Sequence, residues 1–198
     1  MSADLKKMIT ERLEKNDGEE LDMNKIEIKE ISKEIQTLLE SQENLAFLNL
    51  NECGLISLKN FPKIENLVHL ELSLNNFPPS EINELCVLTN IQSISLCNLK
   101  INTIEELKPL TKLENLLQLD LTGNPITEIK DYRQTMFKEF KKLEFLDHKD
   151  AEGKEYEYSS DEDIDDDEED EDEDDEDNSE LSEDSEEYDD SEEDEDSD

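Results

Sequence analysis

The chain has 198 residues, 59 of them acidic and 19 basic, for a net charge of −40. That much negative charge opposes direct binding to DNA, RNA or anionic lipid, and it favours a monomer at low salt. No run of 18 apolar residues exists to cross a bilayer as a helix. Three cysteines, Cys53, Cys86 and Cys97, are an odd number at no metal-ligand spacing, so they read as free thiols in a reducing compartment.

The first segment predicts a helix. Leu5, Met8, Ile9 and Leu13 form one apolar stripe, with Ser2 as N-cap and Gly18 as the stop. Next comes a degenerate copy of a pattern that later recurs in full, using Leu21, Met23, Ile26 and Ile28. The full copies are LAFLNLNECGL from Leu45, LVHLELSLNNF from Leu67, IQSISLCNLKI from Ile91 and LLQLDLTGNPI from Leu116. Each fits L-x-x-L-x-L-x-x-N/C-x-L, and the starts are 22, 24 and 25 residues apart. A short strand sends alternate side chains to opposite faces, so the leucines enter the interior and the intervening residues face out. At the ninth position Cys53, Asn75 and Asn124 can bond the backbone of the turn. Leu99 cannot, which predicts a looser or water-satisfied turn in the third full repeat.

Between the repeats, apolar residues at helical spacing predict short helices or helical turns on the convex side. They are Ile31, Ile35, Leu38 and Leu39; Ile82, Leu85 and Leu88; and Ile104, Leu107, Leu110 and Leu113. Thr103 and Glu106 have the form of a capping box. After the last repeat, Tyr132, Phe137, Phe140, Leu143 and Leu146 crowd into a segment that should close the solenoid. The fold class is therefore α/β: a leucine-rich-repeat solenoid with a parallel concave sheet, an N-terminal helical cap and a C-terminal repeat cap over residues 1–150. A disordered acidic tail is expected over residues 151–198. From Asp161 to Asp198, 29 of 38 residues are Asp or Glu, too polar to form a packed core. This acid density exceeds what solubility requires, and it imitates a nucleic-acid backbone toward cationic proteins.

The register gives candidate partner-binding residues on the concave face: Asp22, Phe47, Asn49, His69, Glu71, Ser93, Ser95, Gln118 and Asp120. Asn24, Asn51, Ser73, Cys97 and Thr122 belong to the same face. The set is polar, mildly acidic and free of Lys and Arg. Its bland reading is a solvated sheet; its functional reading is a groove for a basic protein, with Asp22, Glu71 and Asp120 as charge partners and Phe47 as anchor. Ser159, Ser160 and Ser191 each precede an acid by three residues, as acid-directed kinases favour. His69 falls on the concave face and His148 in solvent, and Cys86 reads as a buried apolar residue. There is no phosphate-binding glycine loop, nucleophile elbow or metal-ligand set, so no catalytic residue, cofactor or metal is expected.

The N-terminal helix, the repeats, Asn124-Pro125, Tyr132-Arg133, Phe137 and Leu146-Asp147 in the cap, and the acidic run together resemble the acidic leucine-rich nuclear phosphoprotein 32 family. The cap alone also fits the U2 small ribonucleoprotein A′ family; the tail separates the two. The resemblance implies nuclear location with shuttling to the cytoplasm, histone binding with chaperone activity, and modulation of histone acetylation. It also implies inhibition of a serine/threonine phosphatase, an alternative to the histone reading, as is an adaptor role in RNA processing. One departure is the absence of a basic import cluster in the tail; the longest basic runs are Lys6-Lys7 and Lys141-Lys142.

Overall fold

A computed structural model describes residues 3–155. The expectations for Ser2, for the three serines Ser159, Ser160 and Ser191, and for nearly all of the acidic tail lie outside those residues.

Six short strands form one parallel sheet in chain order. They are β1 (Glu20–Asp22), β2 (Phe47–Asn49), β3 (His69–Glu71), β4 (Ser93–Ser95), β5 (Gln118–Asp120) and β6 (Phe145–Leu146). The register is continuous: Glu20, Phe47, His69, Ser93, Gln118 and Phe145 form one row, and Leu21, Leu48, Leu70, Ile94, Leu119 and Leu146 the next. A third row holds Asp22, Asn49, Glu71, Ser95 and Asp120. The middle row points inward and is at most 2% exposed. All sixteen apolar residues at the first, fourth, sixth and eleventh positions of the four full repeats are buried, none above 4% exposure. Hydrophobic burial at these positions fixes the coil of the chain.

The returns on the convex side are irregular. Helix α1 (Ala3–Leu13) gives way to a 3₁₀ turn, Glu14–Asn16, and Gly18 N–H donates to the Leu13 carbonyl at 2.8 Å. Helix α2 (Lys33–Glu40) starts at Ser32, whose hydroxyl accepts from Ile35 N–H. The third return is a 3₁₀ segment, Pro79–Val87, opened by a proline whose missing N–H costs nothing there. The fourth is α3 (Ile104–Leu107) running into 3₁₀ turn Lys108–Lys112. The capping box forms: the Glu106 carboxylate accepts from both Asn102 and Thr103 N–H at 2.8 Å.

The ninth-position side chains stitch neighbouring coils together. Asn75 donates to Leu50 and Leu72 carbonyls and accepts from Leu55 N–H. Asn124 donates to Leu96 and Leu121 carbonyls at 2.8 Å. Cys53 supplies the donor half of this pattern, with Sγ directed at the Met23 carbonyl. The loose turn expected at Leu99 does not occur. Asn124 accepts from both Leu99 and Ile101 N–H, at 2.8 and 3.0 Å. The next coil therefore satisfies the turn that Leu99 cannot, and Leu99 itself is buried.

The eighth position has a shared backbone conformation. Lys25, Glu52, Leu74, Asn98 and Gly123 all have positive φ, between +54° and +76°. Gly123 is required for a second reason: a Cβ there would lie 2.3 Å from Asn98 Oδ1.

Both ends are capped. Ile9 and Leu13 of α1 are buried over the first coil, and the Arg12 guanidinium donates to the Asp22 carbonyl at the sheet edge. At the other end α4 (Tyr132–Glu139) buries Tyr132 and Met136, with Phe140 and Leu143 following. Hydrogen-bonded structure continues to Glu155, which bridges antiparallel to Lys149.

Candidate concave binding site

The outward rows of the sheet line a groove of about 260 Å³ that runs from Phe47 on β2 to Phe145 on β6. Of the residues expected on this face, Phe47, His69, Glu71, Ser93, Ser95, Gln118 and Asp120 line it together. Asn49 shares the row of Glu71, and Asp22 stands at the exposed β1 edge. The Phe47 and His69 rings lie 6.4 Å apart, tilted by 41°.

Several of these side chains are committed to the scaffold. Asp22, Asn49 and Asp120 each accept, through Oδ1, the N–H two residues on: Asn24, Asn51 and Thr122. Such bonds hold the chain as it leaves the strand. Ser73 faces the same row but is buried; its hydroxyl accepts from Cys97 N–H and meets Ser95 Oγ at 2.8 Å. Asn51 donates to one oxygen of Glu71.

Asp120 is the most constrained acid. Thr122 donates to Oδ1 from both its N–H and its hydroxyl, and His148 Nε2 lies 2.9 Å from Oδ2. Burial alone would raise this carboxyl, but the Thr122 bonds, then Cys97 and His148, outweigh it and hold it below the usual carboxylate range.

His148, expected in solvent, is exposed but engaged, and it closes the β6 end of the groove. The reason is a tight hairpin from Leu146 to Lys149. Leu146 N–H donates to Lys149 O at 2.8 Å, and Lys149 N–H returns the bond at 3.1 Å. Its two central residues, Asp147 and His148, have φ of +50° and +62°. Two-residue hairpins of this kind prefer Asn-Gly, so Asp-His is a strained choice. It is compensated on both sides: Asp147 accepts from Leu121 N–H at 2.8 Å and sits 3.8 Å from Arg133, while His148 reaches Asp120. Arg133 also donates to the Lys149 and Asp150 carbonyls.

Sequence reasoning missed Glu20, Phe145 and His148 as members of this surface. The signal for the last two was a truncated sixth copy, Leu143-x-x-Leu146, which places Phe145 at an outward position 27 residues after its counterpart Gln118.

Nothing activates the thiols. Burial raises all three above their ordinary range, Cys53 to about 11. Cys86, expected to be buried, is only partly so and donates to the Pro109 carbonyl. Among the described residues no cluster of His, Cys, Asp or Glu could hold a metal ion.

A leucine-rich-repeat family model matches residues 4–166. The chain belongs to the leucine-rich-repeat family. Two curated relatives named acidic leucine-rich nuclear phosphoprotein 32 family member A, from Drosophila melanogaster and Drosophila pseudoobscura pseudoobscura, are 34% and 35% identical over 130 residues. Those 130 residues are 66% of this leucine-rich-repeat chain and 49% of each relative, so it matches about half the length of those proteins. An Arabidopsis thaliana protein named as related to that family is 39% identical over 120 residues, 60% of this chain and 27% of its own. The family resemblance read from the residues is thus borne out. The solved Drosophila melanogaster SNF/U2A′ complex contains a chain of the same fold, with TM-score 0.58 and 25% identity over 66% of this chain and 73% of that one. The scaffold is that of a protein-interaction module, and the two Drosophila relatives carry the name of nuclear phosphoproteins.

Proposed function

We propose that this leucine-rich-repeat chain is a nuclear, non-enzymatic binder of histones or similar basic proteins, which it shields with its acidic segment while the concave face orients them. One observation carries the reading: residues 156–198 hold 30 acidic and no basic side chains, directly after a solenoid whose concave groove contains no Lys or Arg. Polyelectrolyte pairing explains why such a segment would bind. Lys- and Arg-rich partners displace the small cations around it, and their release drives association. A charge pair on the open groove contributes only about 0–1 kcal/mol, so the groove selects and orients while the acidic segment supplies long-range attraction.

The test compares core-histone binding by the full chain and by residues 1–155 across a salt series. The full chain should lose affinity by about tenfold or more between roughly 50 and 200 mM salt. The shorter chain should bind more weakly and respond less to salt. Equal affinity and equal slope would rule out the acidic segment.

An adaptor role in RNA processing is the second reading, favoured by the likeness to a chain of the SNF/U2A′ complex. It requires residues 1–155 to retain the partner in full. Inhibition of a serine/threonine phosphatase, by occlusion of a basic substrate groove, is a third outcome. Histone titration should relieve it if both partners use the same acidic surface.

A further inference from the structure

The groove is not uniformly acidic. Over β1–β3 stand Glu20, Asp22 and Glu71. Glu20 and Glu71 have no basic side chain within 4 Å among the described residues, and the Arg12 guanidinium engages only the Asp22 carbonyl. Over β4–β6 the side chains lining the groove are Ser93, Ser95, Gln118 and Phe145, with one acid, Asp120; Asp147, just past β6, is turned to Leu121 N–H and Arg133 instead. Both oxygens of Asp120 are occupied, Oδ1 by Thr122 and Oδ2 by His148. The occupancy has a structural cost: His148 reaches Asp120 only because the hairpin holds two consecutive non-glycine residues at positive φ. A turn that served only to reverse the chain would be easier to build with Asn-Gly.

We propose that the groove is polarised and that His148 sets the polarity. It takes one segment of a partner protein, whose Lys or Arg side chains lie over β1–β3 and whose uncharged apolar side chain packs against Phe145. His148 keeps cations away from the β5–β6 end by occupying Asp120, the one carboxylate among the described residues that lines the groove there, while neighbouring Asp147 is held by Leu121 N–H and Arg133. Charge complementarity fixes the orientation: a cation finds Glu71 with an unpaired oxygen, but finds Asp120 already bonded. This proposal rests on the reading of the concave face as a site for basic proteins, and it adds the direction in which they lie.

The test uses the full chain, ¹⁵N-labelled, so that groove amides are followed separately from those of the acidic segment. The probe is a short synthetic peptide with two lysines at one end and Leu-Phe at the other, carrying a nitroxide at either end. The label at the lysine end should broaden amides of β1–β3, and the label at the apolar end those of β5–β6. Glu71→Gln should weaken binding at the groove by about two- to fivefold, the range expected for one exposed charge pair. His148→Gly, which also relieves the positive φ, frees Asp120 and should tighten it by about the same factor while erasing the orientation. His148→Lys, which keeps a donor over Asp120, should leave the orientation intact and should not tighten binding. It serves as the measurement should the glycine variant melt early.

Equal broadening of both ends by either label in the wild type would overturn the proposal, as would an unchanged or weaker affinity in folded His148→Gly. Groove amides that do not move with any peptide would overturn it together with the concave-face reading. Shifts confined to the acidic segment would then leave that segment as the sole binder.

Discussion

Leu74 shows how a repeat constrains a single residue more than its neighbours do. The eighth position needs a left-handed backbone in every coil, because the chain leaves the strand there and turns toward the convex side. Asn98 and Gly123 adopt that conformation readily; Leu74, at φ +59° and 48% exposed, does not. Its side chain is about half-buried, so removing it forfeits roughly 1 kcal/mol of burial against about 1–2 kcal/mol of relieved backbone strain. Leu74→Gly should therefore stabilise the protein by up to about 1 kcal/mol, read from urea denaturation midpoints at constant slope. A destabilised variant would mean that the Leu74 side chain packs more than its exposure indicates.

At the scale of the element, the unit of cohesion is the turn after each strand rather than the strand itself. Each strand has two or three residues and contributes few ladder bonds. The asparagine at the ninth position adds bonds to two coils at once. Asn124 makes four of them at 2.8–3.0 Å, all buried. Asn124→Ala would leave the Leu99 and Ile101 N–H groups and two carbonyls without that partner. The expected cost is about 3 kcal/mol or more, since each buried unsatisfied group costs about 1–3 kcal/mol and partial relaxation recovers some of it. Thermal unfolding of Asn124→Ala beside Glu106→Ala, an exposed cap worth about 1 kcal/mol, would rank the two. Similar losses would show that the stitching between coils matters less than the bonding suggests. The motif made the asparagines legible as turn partners. It did not show that Asn124 would serve the coil before its own, because a repeat pattern describes one coil at a time.

Residues 3–155 form a stack in which each strand pairs with its neighbours in chain order, so stability should be distributed along one dimension. The caps then control where opening begins. Ile9, 1% exposed, holds α1 over the first coil. Ile9→Ala should cost about 2–5 kcal/mol of local stability. In native-state hydrogen exchange the amides of β1 and β2 should lose protection while those of β4 and β5 keep theirs. Uniform loss across the sheet would instead identify a single cooperative unit.

The period of the leucines was enough to determine the solenoid, its parallel sheet, its buried rows and most of its concave surface. Burial acts on each coil through local spacing, and local spacing is written in the chain. Tertiary structure decided the rest: that Asn124 satisfies the turn at Leu99, that Ser73 turns inward, and that His148 crosses to Asp120. Those contacts join residues some 22 to 28 positions apart, and they depend on register between coils and on the hand of one strained hairpin. Neither is encoded in the periodicity of a single repeat, so the charge pattern of the groove emerges only when the coils are stacked.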